Sequence, residues 1–144
     1  MIKVFYQESK RIKNSLKIKT VLKKIIQNHH KKEGEINIIF CNDDFLYKLN
    51  MEYLNHNTYT DIITFDNCDD KINGELYISL ERVLENSKLH KETFENEIIR
   101  VCAHGVLHLL GYKDKEDIDI SKMREQENKA LKIYKETISR GTIK

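Results

Sequence analysis

Residues 104–114 read HGVLHLLGYKD, and this stretch predicts a helix, a turn and a metal site that the fold of the remaining chain must hold in place. His104 and His108 are four residues apart, so they share one face of a helix. Gly111 is typical of the position just past a helix end, where left-handed backbone is cheap only for glycine. The reversed chain can then bring Asp114 back towards the two imidazoles. The stretch predicts a metal site with His104, His108 and Asp114 as ligands and one position left for water, as in catalytic zinc sites.

The same helix has features that are open to two interpretations. A histidine pair at this spacing also occurs in helices that bind no metal, and the apolar neighbours Val101, Leu107 and Leu110 indicate a substantially buried helix. Gly105 costs about 1 kcal/mol relative to alanine inside a helix, so it needs a reason. Either the helix packs closely against another element there, or the missing side chain lets a substrate approach the metal.

Length and composition predict one domain over residues 1–144, long enough to bury a core. The sequence has neither an 18-residue apolar run nor a signal-peptide pattern, so we expect a cytoplasmic protein that does not enter a membrane. Cys41, Cys68 and Cys102 show no CxxC pairing, which favours reduced thiols over a disulfide framework.

Charge is distributed unevenly along the chain. The formal net charge is +2, but residues 1–32 carry ten lysines and arginines against one acid, so the remainder is acidic. A basic segment of this kind favours contact with polyanions such as RNA phosphates. A solvated lysine-rich helix face is an equally good explanation of the same pattern.

Hydrophobic periodicity predicts an α+β fold, a small mixed four-stranded sheet covered by about five helices, with the metal site on a buried helix in the C-terminal half. Predicted strands are MIKVFYQE, EINIIFCN, DIITFD and ELYISL, the last two forming a hairpin. The first predicted helix starts after Asn14 or Ser15 and ends by Gly34, and the second starts at Asp43. Three more helices are predicted over 81–90, 95–110 and about 120–138, with Ser79 capping the helix over 81–90.

With these residues in view, the chain resembles the YbeY family of rRNA maturation factors, metal-dependent endoribonucleases of bacteria. HGVLHLLGYKD is similar to the family pattern HGxLHLxGYDH. Residues 49–66, LNMEYLNHNTYTDIITFD, are similar to LNxxYRxxDxPTDVLSF, and GELYISLERV from Gly74 is similar to the GDIxIS segment. Met123 and Glu127 fall where the last helix of the family has Met and Glu. The resemblance covers most of the chain, with its segments in the family order.

The chain also departs from the family pattern. The third family histidine falls on Asp114, which remains a suitable ligand but is a harder oxygen donor. The family arginine falls on Leu54, and its aspartate and proline fall on Asn57 and Tyr59. Leucine cannot neutralise a phosphate, so either another cation replaces that arginine or nuclease activity is weak. The candidate replacements are Arg82, Arg100 and an N-terminal lysine.

The resemblance implies a single-strand-specific endoribonuclease in rRNA maturation and ribosome quality control, with one Zn²⁺ per chain and rRNA or a ribosomal small-subunit precursor as partner. A zinc-activated water would hydrolyse the phosphodiester. Asp61 and Glu75 are candidate general bases, although turn capping explains both residues as well. Residues on the basic N-terminal helix are candidates for RNA binding, namely Lys17, Lys23 and Lys24.

Other functions remain open at this point. A weakly catalytic or non-catalytic RNA-binding ribosome-assembly factor with a structural metal is the main alternative, and Leu54 favours it. A metal hydrolase for a small substrate would need an enclosed pocket. A zincin peptidase is disfavoured, because such enzymes carry Glu directly after the first histidine, where this chain has Gly105. We expect surface positions for the other histidines, His29, His30, His56 and His90, and expect Tyr112 to pack against its helix rather than stack on a base.

Overall fold

A computed structural model describes residues 1–56 and 58–143, with side chains described as far as residue 139. In chain order the elements are β1 (Ile2–Tyr6), α1 (Ser15–Asn28), β2 (Glu33–Cys41), α2 (Asp43–Leu54), β3 (Ile62–Asp66), β4 (Ile72–Ser79), α3 (Leu80–Leu89), α4 (Phe94–Leu109) and α5 (Asp117–Ile143). The predicted α+β fold and the order of its elements are confirmed. None of the helices in these described ranges is long and apolar enough to span a membrane.

The four strands form one mixed sheet in the order β1-β2-β4-β3. β1, β2 and β4 run parallel, while β3 runs antiparallel to β4. The short turn between β3 and β4 requires this antiparallel pairing, because two strands joined by a hairpin must reverse direction. The predicted hairpin is therefore present, and it forms one edge of the sheet.

Side chains that cap helices set where three helices begin. Asn42 accepts a hydrogen bond from the backbone N–H of Phe45 at the start of α2. Ser79 accepts one from Arg82 at the start of α3, as the sequence predicts. Thr93 does the same for Asn96 at the start of α4. Each contact satisfies a backbone donor that has no partner within its own helix.

The two faces of the sheet bury different clusters. One face, carrying Ile36, Ile38, Leu76 and Ile78, packs with α1, α3, α4 and α5 in the main hydrophobic core. The opposite face, which includes Ile63, packs against α2 in a smaller cluster. Because successive side chains of a strand point to opposite faces, each strand residue is assigned to one of these two layers.

Gly34 does not end the first helix, and that prediction is wrong. α1 already ends at Asn28, and His30 then takes left-handed backbone with φ of +59°. Gly34 lies inside β2, where the register against β4 shifts between Glu33 and Ile36. A Cβ at Gly34 would overlap the Asn73 side chain, so close approach of a neighbouring segment explains this glycine.

Helix α4 approaches the sheet most closely at Gly105. A Cβ there would lie 2.8 Å from Ile62 Cδ1 and 2.8 Å from Leu76 Cδ2, and Gly105 itself is buried. Packing therefore explains this glycine, and the alternative that it admits substrate to a metal is wrong. The same contact excludes a catalytic glutamate at this position, as a zincin peptidase would need.

Gly105→Ala should lower the free energy of unfolding by about 1 kcal/mol. Overpacking costs about 1–3 kcal/mol, which exceeds the gain of about 1 kcal/mol for alanine over glycine in a helix. Urea denaturation measures the change, and adding Ile62→Val should recover part of it by shortening one of the clashing side chains. A Gly105→Ala variant more stable than the wild type would contradict the packing explanation.

Candidate metal centre

Three side chains meet just beyond the point where α4 contacts the sheet. His104 Nε2 lies 3.1 Å from His108 Nε2, and Asp114 Oδ2 lies 3.1 Å and 3.3 Å from these two nitrogens. Ligands around a tetrahedral zinc, with bonds of about 2.0–2.1 Å, are roughly 3.3 Å apart. The three donor atoms thus have the spacing of a metal site, and this group could hold an ion.

The remaining ring nitrogens fix how the two imidazoles face this cluster. His104 Nδ1 donates to Glu127 Oε2 at 2.7 Å, and His108 Nδ1 donates to the Tyr112 carbonyl oxygen at 3.0 Å. Both partners are acceptors only, so Nδ1 carries a hydrogen in each ring, and the neutral form of each ring has its lone pair on Nε2, where a metal would bind. Orientation of metal-binding histidines by a carboxylate or a carbonyl is the usual arrangement in metalloproteins.

The turn after α4 returns the chain to its own last turn. Gly111 has φ of +104°, its N–H donates to the His108 carbonyl, and the N–H of Tyr112 donates to the Leu107 carbonyl. These two hydrogen bonds define a Schellman motif, in which glycine is the favoured residue at the left-handed position. The helix end predicted at Gly111 is confirmed, and it brings Asp114 beside both histidines.

Glu127 on α5 is the residue that organises the charges of the site. It is buried, and besides His104 it accepts a hydrogen bond from Arg100 Nη1 at 3.0 Å. Burial alone would lower the pKa of His104, but the hydrogen bond to Glu127 and the charges of Glu127, Asp114 and Asp61 outweigh it and raise that pKa. Burial would raise the pKa of Glu127, but its bonds to His104 and Arg100 lower it.

A cavity of about 300 Å³ opens beside His104 and Asp114. Asp61, one of the two candidate bases, lines it. Burial raises the pKa of Asp61, and the positive charge of His104 partly opposes that rise. The other candidate, Glu75, does not line the cavity, because it alternates with Gly74 and Leu76 and so belongs to the α2 face of β4. The structure brings Asp61 to the site and leaves Glu75 away from it.

The structure places the candidate replacements for the family arginine differently from what the sequence predicts. Arg100 lines the cavity, but its guanidinium is engaged by Glu127 and Asn128. Arg82 is bound to Asp43 at 2.7 Å and does not line this cavity. Arg124, which the sequence gives no reason to single out, lines the cavity with its side chain 59% exposed.

The basic helix α1 lies away from the cavity lining. Lys23 and Lys24 are exposed, and Lys17 is half-buried. Lys23 Nζ pairs with Glu33 at 3.2 Å. None of the three lysines lines the cavity beside the metal centre. They could bind RNA only if the RNA strand extended from the cavity over the surface of α1.

His29 is not a plain surface residue, and that prediction is wrong. Its ring is half-buried, with Nδ1 2.8 Å from the Ile25 carbonyl and Nε2 2.9 Å from the Tyr112 hydroxyl. Tyr112 packs against the core and also meets the His29 ring edge-on, in agreement with its expected packing role. The other three histidines are exposed, although His90 lines the cavity.

Two positions at which the chain departs from the family pattern lie at or just after the end of α2. Leu54 ends α2 and is 43% exposed, while Asn57 lies outside the described residues.

Known proteins are similar to this chain over most of its length. The family model described as Endoribonuclease YbeY matches residues 4–135, which include all three ligand candidates. Endoribonuclease YbeY of Flavobacterium johnsoniae is 44% identical over 135 residues, 93% of this chain and 97% of that protein. The protein of the same name from Flavobacterium psychrophilum is 51% identical over 111 residues, 76% of this chain and 79% of that protein. The solution structure of a Thermotoga maritima protein matches with a TM-score of 0.73 and 28% identity, covering 100% of this chain and 96% of that one.

The ion pair between His104 and Glu127 should give the metal-free protein a characteristic pH profile. The pKa of His104 is raised from its ordinary 6.5, so its contribution to stability is full below pH 6.5 and is lost as pH rises through the folded-state pKa. The pKa of Glu127 is lowered from 4.5, so its contribution is present above pH 4.5 and is lost as pH falls through the folded-state pKa.

With chelator present, the stability advantage of the wild type over Glu127→Gln should therefore be largest between pH 4.5 and 6.5. Urea denaturation across pH measures it. Glu125→Gln, an exposed acid on the same helix, should follow the wild-type profile. A constant difference between wild type and Glu127→Gln across the whole range would rule out the proposed ion pair.

Proposed function

The chain belongs to the YbeY endoribonuclease family, and we propose that it is a metal-dependent, single-strand-specific endoribonuclease acting in rRNA maturation and ribosome quality control. The observation that supports this proposal most is the cluster of His104, His108 and Asp114 at the edge of a cavity. Three nitrogen and oxygen ligands leave a coordination position for water, as hydrolytic zinc sites require. In this proposal residues 1–144 act as one metal-hydrolase domain.

One Zn²⁺ per chain is the metal we propose, since two imidazoles and one carboxylate suit zinc. Zinc held there would supply a water of lowered pKa and polarise a phosphoryl oxygen of the substrate. The protein's own contribution is orientation, because Glu127 and the Tyr112 carbonyl keep both Nε2 atoms turned towards Asp114. Such supporting contacts typically change metal affinity or activity by about 10–100-fold.

Asp61 is the residue we propose as proton acceptor during hydrolysis. It lines the cavity beside His104, and burial raises the pKa of its carboxyl group, which makes it a stronger base than an exposed aspartate. Glu75 is not part of this proposal, because it belongs to the opposite face of the sheet.

Arg124 is the cation we propose for contact with the RNA phosphate. Leu54 stands where the family pattern has arginine, so a positive charge has to come from another position. Arg124 lines the cavity, is largely exposed, and forms a long ion pair of 3.9 Å with Glu127. Because this ion pair is long and the side chain is 59% exposed, the guanidinium can form the paired hydrogen bonds that favour arginine at phosphates.

The partner in this proposal is rRNA or a ribosomal small-subunit precursor in the cytoplasm. The basic N-terminal segment supports RNA as the partner, with Lys17, Lys23 and Lys24 as contacts outside the cavity. The second candidate function is a ribosome-assembly factor that binds RNA through this helix and uses its metal structurally. Leu54 is the observation that favours it.

Zinc-loaded protein should cleave single-stranded RNA and leave a duplex of the same sequence intact. His108→Ala should lower the cleavage rate by at least about 100-fold, because loss of a ligand exceeds the effect of losing a supporting contact. Gel-resolved cleavage of end-labelled RNA measures both results. His56→Ala is the control, since His56 is exposed and does not line the cavity.

Metal-loaded protein that binds the RNA but never cleaves it would remove the nuclease proposal and favour the assembly factor. Equal cleavage by the wild type and His108→Ala would instead trace the activity to a contaminating nuclease.

A further inference from the structure

The cavity beside the metal centre extends well past the ligands. From His104 it follows one face of α4 to Arg100 and Glu97, with Asn86 and His90 of the α3 segment on the other side. Glu97 and His104 are seven residues apart, which is two helical turns or roughly 10 Å along the axis. The far end of the cavity is therefore within reach of a nucleotide whose phosphate lies at the metal centre.

Glu97 at this far end is a buried carboxylate with one oxygen, Oε1, that is not used as an acceptor. Its side chain is only 4% exposed, and its Oε1 has no hydrogen-bond partner among residues 1–56 and 58–143. The His90 ring lies beside it with Nδ1 3.6 Å from Oε1, which is too far for a hydrogen bond. Glu127, buried to a similar degree, is by contrast bonded to both His104 and Arg100.

An unsatisfied buried carboxylate lowers stability, since such a group loses hydration without a replacement. A ligand that brings hydrogen-bond donors would remove this cost. A phosphate is excluded as that ligand, because its negative charge would face the carboxylate. A second metal ion is disfavoured, because within residues 1–56 and 58–143 only His104, His108 and Asp114 form a group of three donor atoms.

We propose that Glu97 is a specificity-determining residue that accepts hydrogen bonds from the base next to the scissile phosphate, with a preference for guanine. This inference rests on the proposed endoribonuclease function. Guanine presents two adjacent donors, N1–H and the N2 amino group, to a carboxylate. Adenine and cytosine present an amino group beside an acceptor nitrogen, and uracil presents one N–H between two carbonyl oxygens. Only guanine matches a carboxylate without placing an acceptor against it.

The charges along the cavity agree with this orientation of the nucleotide. Arg124 is exposed at the cavity and suits the phosphate, whereas Glu97 at the buried end repels it. The backbone is thereby directed to the metal centre and the base to α4. Discrimination by a buried hydrogen-bonding group is also strong, because a wrong base leaves that group unpaired.

The test uses zinc-loaded full-length protein and single-stranded RNAs that carry one guanosine in an otherwise uridine sequence. Cleavage mapped at single-nucleotide resolution should concentrate beside the guanosine. Replacing it by inosine, which lacks the N2 amino group, should lower cleavage there by about tenfold, the effect of one hydrogen bond to a charged group. Glu97→Gln should lose the preference for guanosine over inosine, whereas the exposed control Glu125→Gln should keep it.

Thermal unfolding of the variants separates this role from a structural one. Glu97→Gln should unfold at the same temperature as the wild type or higher, because it removes an unsatisfied buried charge. A lower unfolding temperature combined with an unchanged guanosine-to-inosine ratio would overturn the inference in favour of a structural role.

Failure of the inference and failure of the proposed function give different results. Cleavage by the wild type without regard to the base would overturn the guanine preference and leave the nuclease intact. If the wild type cleaves none of the RNAs, binding of the same labelled RNAs, measured by fluorescence anisotropy, decides whether the guanine preference stands. Tighter binding of the guanosine RNA that Glu97→Gln abolishes would uphold the inference, and equal binding of the guanosine and inosine RNAs would overturn it.

Discussion

Close packing of α4 against the sheet at Gly105 is the constraint on which the site depends. The glycine lets the helix contact Ile62 and Leu76, so the helix axis lies nearer the strands than a side chain would allow. His104 and His108 flank this contact in sequence and remain half-buried at the edge of the core. A rigid, buried helix holds two ligands in fixed geometry, which is what an open metal site requires.

The connection between α4 and α5 brings the remaining residues of the site to the two histidines. The turn at Gly111 returns Asp114 to the histidines, and α5 then runs back along α4 so that Glu127 reaches His104 and Arg100. One buried carboxylate thus couples the position of the last helix to the orientation of a ligand. Displacing α5 would remove the hydrogen bond that orients the His104 ring, so packing and site geometry are not independent.

The parts of the site that were predictable from sequence are those encoded locally. The histidine spacing, the glycine stop and Asp114 lie within eleven residues, so helical periodicity and turn chemistry suffice to bring them together. Glu127 is 23 residues from His104, and its role depends on how α5 packs. The family resemblance marked its position but not its function. Burial of Glu97 without a partner is likewise a tertiary property that an acid in an amphipathic helix does not reveal.

Residues whose surroundings come from distant segments are the ones that local sequence patterns place wrongly. Glycine often stops helices, so the sequence predicts a helix end at Gly34, but a strand irregularity beside Asn73 accounts for this glycine. His29 was expected on the surface because its neighbours are polar, but its ring meets Tyr112, 83 residues further on. Glu75 is a candidate base from sequence alone, and the alternation of β4 assigns it to the α2 face, away from the cavity. Contacts between distant segments account for both Gly34 and His29.

Metal analysis of the purified protein tests the central claim most directly. After dialysis against metal-free buffer, the wild type should retain about one zinc per chain, and Asp114→Ala should lose most of it because a site of three protein ligands tolerates the loss of one poorly. Glu125→Gln, an exposed acid that lines no part of the site, should retain zinc as the wild type does. Full zinc retention by Asp114→Ala, or a wild type that binds no metal, would contradict the account.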